Sequence, residues 1–249
     1  MTLLLSSCTN SDDVTLKISK IVPLRMSEPS GLCYNFNHSG FFAVNDSDNG
    51  RLYELNLDGS VKRLCYDSGG LDYEGCAMDY ETGRLYVCSE DDKIYGFEYP
   101  DYDSPELVCA IDGGSFGGGK PNNGFEGIEY ADGILYLGNQ ANPRVIVKYD
   151  IRISAVIETL PLSRIGYYIS DLWYDSEDCT MWILDSAKDS FWKNPAIYHC
   201  TLDGKLLKTF SLPEDIVQAE GLVIDKKKNK IYISCDYASN LYILEYDFK

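Results

Sequence analysis

The chain has 249 residues, 45% of them hydrophobic, which is long enough to bury the core of one all-β domain without division into two. Asp and Glu number 39 against 22 Lys and Arg, a formal charge of −17. A nucleic-acid backbone or an anionic membrane surface would be repelled by it, and a cation is the more natural partner.

The first thirteen residues read MTLLLSSCTNSDD, and Leu5-Ser6-Ser7-Cys8 resembles a bacterial lipobox. The expectation is a signal remnant and tether over residues 1–13, lipidated at Cys8, that places the protein at the cell envelope. Only seven residues precede Cys8 and none is basic, which departs from a full signal peptide. No stretch elsewhere approaches 18 consecutive apolar residues, so contact with a membrane is expected only through the lipid.

Next comes VTLKISKIVPL (14–24), in which Leu16 and Ile18 alternate with Lys17 and Ser19 as in a strand. Five similar segments then recur: EPSGLCYN (28–35), YEGCAMDY (73–80), FEGIEYAD (125–132), ISDLWYDS (169–176) and AEGLVIDK (219–226). With Gly31, Gly75, Gly127, Asp171 and Gly221 equivalent, the spacings are 44, 52, 44 and 50 residues, the length of a four-stranded propeller blade. Each segment is followed by a second strand with an aromatic residue in its second position: Phe42, Tyr86, Tyr136, Trp182 and Tyr232. Third strands follow, and Asp58-Gly59 and Asp203-Gly204 supply hairpin turns in copies one and four. Copy five ends at Lys249 without a fourth strand. The fold predicted over 14–249 is therefore a single five-bladed β-propeller, with six blades as the alternative. Its ring is closed by the N-terminal strand pairing with the last blade, which removes exposed sheet edges.

In such a blade the innermost strand begins on the face where the second strand ends. The first set of positions carries Glu28, Glu74, Glu126, Asp171 and Glu220, and the second includes Asn45-Asp46, Glu90, Asn139-Gln140 and Asp236. One channel mouth is thus predicted to be ringed by carboxylates, with Asn45, Asn139 and Gln140 as amide ligands. A single acid before a strand can simply cap backbone N–H groups. Several acids together repel one another unless a cation intervenes, and oxygen-only donors suit a hard ion, Ca²⁺ before Mg²⁺. The metal set expected is Glu28, Asp46, Glu74, Glu90, Glu126, Asp171, Glu220 and Asp236.

The motifs DYEGCAMD (72–79), VCSED (87–91), FEGIEY (125–130) and AEGLVID (219–225) resemble the SdiA-regulated family of bacterial β-propeller proteins over about Val14 to Lys249. The resemblance implies calcium and the cell envelope, and it matches Asp46, Glu74, Glu90, Glu126 and Glu220 to acidic mouth positions. Asp171 departs from the E-G motif, because copy four reads Ser-Asp-Leu. Two functions follow. One is a calcium-binding envelope lipoprotein that binds a small molecule or a protein, or signals. The other is a calcium-dependent hydrolase, resembling phytase-like or lactonase propellers, in which Asp46 or Glu90 activates water.

Other motifs carry less. Gly114 to Lys120 fits G-x-x-x-x-G-K, but Pro121 stands where a hydroxyl should bind Mg²⁺ and the following Asn-Asn-Gly breaks any helix. That stretch reads as a long connection into the third copy. His38 and His199 lie away from the acidic mouth, His38 on the opposite face, and neither serves a nucleophile. Cysteines other than Cys8 fall singly in apolar runs without zinc-ligand spacing and read as small hydrophobes.

Overall fold

Each repeat folds into a four-stranded antiparallel sheet because its strands are short, rich in β-branched and aromatic residues, and divided by turns. The computed structural model describes residues 14–47, 49–111, 124–141, 143–162, 165–187 and 195–248. The lipobox with Cys8 and the glycine-rich connection with Lys120 lie outside the described residues.

Two short strands lead the chain, β1 (Val14–Thr15) and β2 (Lys17–Pro23). Blade one is β3 (Pro29–Tyr34), β4 (Gly40–Asn45), β5 (Arg51–Asn56) and β6 (Val61–Asp67). Blade two is β7 (Tyr73–Met78), β8 (Leu85–Ser89), β9 (Lys93–Phe97) and β10 (Glu106–Ala110). Blade three is β11 (Phe125–Ala131), β12 (Ile134–Asn139), β13 (Val145–Asp150) and β14 (Ala155–Pro161). Blade four is β15 (Ile169–Asp175), β16 (Thr180–Asp185), β17 (Ala196–Thr201) and β18 (Leu206–Ser211). Blade five has β19 (Ala219–Asp225), β20 (Lys230–Cys235) and β21 (Asn240–Glu245) from the C-terminal end of the chain. Its outer strand is β2, antiparallel to β21 with Lys17 opposite Glu245 and Pro23 opposite Asn240.

The propeller thus has five blades, closed by the N-terminal strand as the sequence predicts. One detail differs. The segment 14–24 is not one strand, because β1 pairs in parallel with β18 of blade four, Val14 opposite Phe210, before the chain crosses to blade five. Leu16 sits between the two strands and is buried, so the segment ties both blades together. In the Asp-Gly turns only the glycines take positive φ, Gly59 at +83° and Gly204 at +81°, while Asp58 and Asp203 do not, so these are longer loops than the two-residue hairpin with both central residues left-handed.

The core is five slabs, one between each pair of neighbouring blades, and the repeated aromatic column supplies one ring to each. Phe42 packs toward blade two, Tyr86 toward blade three and Tyr136 toward blade four, while Trp182 packs toward blade five and Tyr232 toward blade one. Tyr86 stacks on Tyr130 and Tyr136 on Tyr174, each pair joining a second strand to the next blade's inner strand. The eight described cysteines are free thiols, and Cys33, Cys76, Cys88, Cys200 and Cys235 are buried as expected of small hydrophobes.

Candidate metal centre

The innermost strands share one irregularity near their starts. In every blade the ladder between first and second strands slips there, so that Ser30, Glu74, Glu126, Ser170 and Glu220 have no residue opposite and form one column. The next residues, Gly31, Gly75, Gly127, Asp171 and Gly221, form another. The glycines are set by close approach, since a Cβ on Gly31 would lie 2.5 Å from Gly75 Cα and one on Gly75 would lie 2.4 Å from the Glu126 carbonyl oxygen.

Within this frame the acids converge on one side of the mouth. Carboxylate oxygens of Asp46, Asp72 and Glu74 lie within 4.8 Å of one another, and so do those of Glu74, Glu90 and Glu126. Glu74 belongs to both groups and is 4% exposed. Burial first, then the charges of Glu126, Asp46, Glu90 and Asp72, push its carboxyl well above the ordinary range. Burial, and then Asp46, push Asp72 up to about 7. Neighbouring polar groups reinforce the cluster. Ser30 Oγ donates to the Glu74 carbonyl at 2.7 Å, and Gln140 Nε2 donates to Glu126 Oε1 at 2.5 Å. Among the described residues no lysine or arginine pairs with Asp46, Asp72 or Glu74.

The donor set fits a hard divalent cation. All ligands are oxygens, and Asp72 Oδ1 is closed off from solvent with no hydrogen-bond donor. Asp72 lies outside the metal set expected from sequence, although it opens the D-Y-E-G motif. Its signal lay in spacing, because residues 72 and 74 are two apart on an extended segment and share a side.

Four of the eight expected metal ligands lie in the cluster: Asp46, Glu74, Glu90 and Glu126. The structure does not bring the other four there. Asp171 is out of step by one residue and stands in the glycine column, while Ser170 holds the acid position. Its carboxylate is fully buried and accepts backbone N–H groups from Leu172 at 2.9 Å and Leu222 at 2.7 Å. Glu28 is exposed, with φ +45° and its carbonyl accepting the Asp46 N–H, and Ser30 occupies its expected column. Glu220 and Asp236 sit by Cys235 in blade five, and their charges add to the burial that raises that thiol.

The amide ligands also divide. Gln140 is at the cluster. Asn45 is committed to its own connection, accepting Arg51 N–H at 2.6 Å and donating to Ser47 Oγ at 2.9 Å. Asn139 donates to the carbonyls of Ala141 and Pro143, and its Oδ1 is buried without a donor. Arg144 is turned away toward the Gly166 carbonyl and the Tyr167 ring. His199 bonds Thr180 Oγ1 at 2.7 Å and stacks on Trp182, while His38 faces the opposite mouth.

The chain is similar to known proteins in sequence and in fold. A family model described as SdiA-regulated matches residues 6–244. Among solved structures the chain is similar to Kuenenia stuttgartiensis hydrazine synthase, at 14% identity and a TM-score of 0.52, covering 85% of this chain and 56% of that one. The WD40 β-propeller domain of Doa1 is similar at 14% identity and a TM-score of 0.49, covering 88% of this chain and 66% of that one. The chain spans less than two thirds of either, and at this identity the likeness concerns the fold alone. No curated protein matches the chain.

Proposed function

Because the chain belongs to the SdiA-regulated family, matched over nearly all of its length, we propose that it is a calcium-binding β-propeller acting by binding and not by turnover. The observation that carries this reading is Glu74, a buried carboxylate shared by two acid triads with no basic side chain among the described residues paired to it. A divalent ion would remove the repulsion that raises Glu74 and Asp72 and would satisfy the orphaned Asp72 oxygen. Ca²⁺ suits the cluster better than Mg²⁺, because carboxylates from three blades offer a larger and less regular shell than an octahedron. Asp46, Asp72, Glu74, Glu90 and Glu126 would hold the ion, and Gln140 would orient Glu126.

Hydrolysis is the weaker reading. A phosphoesterase needs cations to hold substrate phosphate, and Arg144, which follows Asn139-Gln140 in the chain, is engaged by the Gly166 carbonyl and the Tyr167 ring. Neither histidine reaches the cluster. The lipobox-like stretch ending at Cys8 supports anchoring at the cell envelope, which fatty-acid labelling of parent and Cys8→Ala protein tests.

The deciding experiment is Ca²⁺ titration followed by thermal unfolding. Ca²⁺ raises the parent's Tm as mass action requires, and Glu74→Gln and Glu126→Gln lose most of that rise. A parent Tm indifferent to Ca²⁺ sinks the proposal, and Ca²⁺-dependent turnover of phosphoesters or lactones would move it to the hydrolase reading.

A further inference from the structure

At the mouth opposite the acids, the ends of the inner strands and the turns after them enclose a cavity of about 820 Å³ lined by all five blades. This is the size of a small-molecule site, roughly 300–1,000 Å³. Its walls are aromatic, with Tyr34, Tyr80, Tyr130, Trp173 and Tyr174 around it, over a floor that includes Leu32, Leu172 and Leu222. His38 stacks on Tyr80 with ring centroids 4.7 Å apart, and burial lowers its pKa, which favours the neutral imidazole.

The charge around the cavity is one-sided. Seven carboxylates line it against three lysines, and two of those lysines are engaged, Lys226 with Asp175 and Lys228 with Asp225. Several of the acids have local duties. Asp79 accepts the Glu81 N–H at 2.9 Å and Asp225 accepts that of Lys228 at 2.9 Å, each closing its own turn.

Glu129 is different. It lies two residues beyond the ring glycine, where the other blades carry Cys33, Ala77, Trp173 and Val223, so the repeat itself asks for no acid there. Its Oε1 accepts the N–H of Tyr130 at 2.8 Å and its Oε2 that of Tyr174 at 3.1 Å. The carboxylate is thereby fixed between blades three and four, and each oxygen keeps acceptor capacity for a ligand. Among the described residues no acid triad forms around it, which argues against a metal ion.

We propose that this cavity binds a small organic cation, an ammonium group on a compact apolar body, with Glu129 as counter-charge and the tyrosine faces as walls. Aromatic faces attract cations through the ring quadrupole, and a net-negative lining repels anions. The apolar floor takes the body of the ligand. This site is separate from the acid cluster and does not depend on the calcium reading.

Isothermal titration at about pH 8 tests it with (4-hydroxymethylphenyl)trimethylammonium and its uncharged carbon isostere, 4-tert-butylbenzyl alcohol, neither of which ionises near that pH; burial raises Glu129 to about 7, so at about pH 8 its carboxylate is mostly charged. The cation is expected to bind about tenfold more tightly than the isostere. Glu129→Gln narrows that gap, Tyr130→Leu weakens the cation, and Glu74→Gln at the other mouth changes neither; a gap unchanged in Glu129→Gln overturns the counter-charge role. Equal binding of the two ligands to the parent, as a neutral polyol site would give, overturns the proposal, as does binding of neither. Loss of cation binding in Glu74→Gln but not in Glu129→Gln also overturns it. If Glu129→Gln fails to fold, the parent comparison together with Tyr130→Leu decides the question.

Discussion

Asp171 and Leu222 are joined across the boundary between blades four and five, the aspartate Oδ2 accepting the backbone N–H of Leu222 at 2.7 Å. Oδ1 of the same group accepts the N–H of Leu172 at 2.9 Å. Burial raises this carboxyl and the backbone donors oppose the rise. Both oxygens serve as acceptors, so the group fastens inner strands together where the other blades have glycine. Asp171→Asn turns an NH₂ group toward a backbone donor and is expected to cost about 1–3 kcal/mol. Urea denaturation measures that loss, and the Ca²⁺-induced rise in Tm should be unchanged.

Glu74→Gln carries the opposite sign in the metal-free protein. It removes a buried carboxyl crowded by Glu126, Asp46, Glu90 and Asp72 while keeping its size. In EDTA the variant is expected to melt above the parent, by a few degrees if about 1 kcal/mol of repulsion is relieved. With Ca²⁺ the order reverses. Calorimetry in the two buffers checks both halves.

Glu129 gives a pH dependence of known direction. Burial raises its carboxyl to about 7 from an ordinary value of 4.5, so between those values the folded protein holds a proton that the unfolded chain has released. Stability from this group is therefore complete below the lower value and falls as pH rises toward the upper one. The urea midpoint should drop between about pH 5 and about pH 8 by more in the parent than in Glu129→Gln. An equal drop in both would show that Glu129 does not titrate differently on folding.

Gly75 cannot carry a side chain without moving backbone. The added Cβ would sit 2.4 Å from the Glu126 carbonyl oxygen, and both belong to inner strands of the ring. Gly75→Ala is expected to destabilise by about 3 kcal/mol and, because it displaces Glu126, to weaken the Ca²⁺ response as well. Thermal unfolding with and without Ca²⁺ reads both effects.

Leu16 measures the ring closure. It is 2% exposed and packs in the slab between blades four and five with Phe210, Leu212 and Leu244. Leu16→Ala should cost about 2–5 kcal/mol, the range for a buried leucine, whereas Lys17→Ala on the exposed side of β2 should change little. Equal losses would mean that closure rests on strand pairing and not on this side chain.

Five blades, the strand order within each and closure by the N-terminal segment were legible in the repeat, although six blades stayed open as an alternative and the split of residues 14–24 into two strands did not show. Those properties repeat, and a column such as Phe42, Tyr86, Tyr136, Trp182 and Tyr232 carries the same packing instruction five times. The sequence also determined that Glu74 and Glu126 share a face, because both precede a ring glycine. Tertiary structure alone decided which acids meet. The ring turns successive blades away from one another, so Asp46, Asp72, Glu74, Glu90 and Glu126 converge where blades one to three adjoin, and Glu220 and Asp236 stand apart. Asp171 stands in the glycine column already in the repeat, and only the packing of blade four against blade five shows its carboxylate spent on backbone amides. The cavity around Glu129 was hidden for the same reason, since its walls come from five distant stretches whose turn residues look, one at a time, like ordinary hairpins.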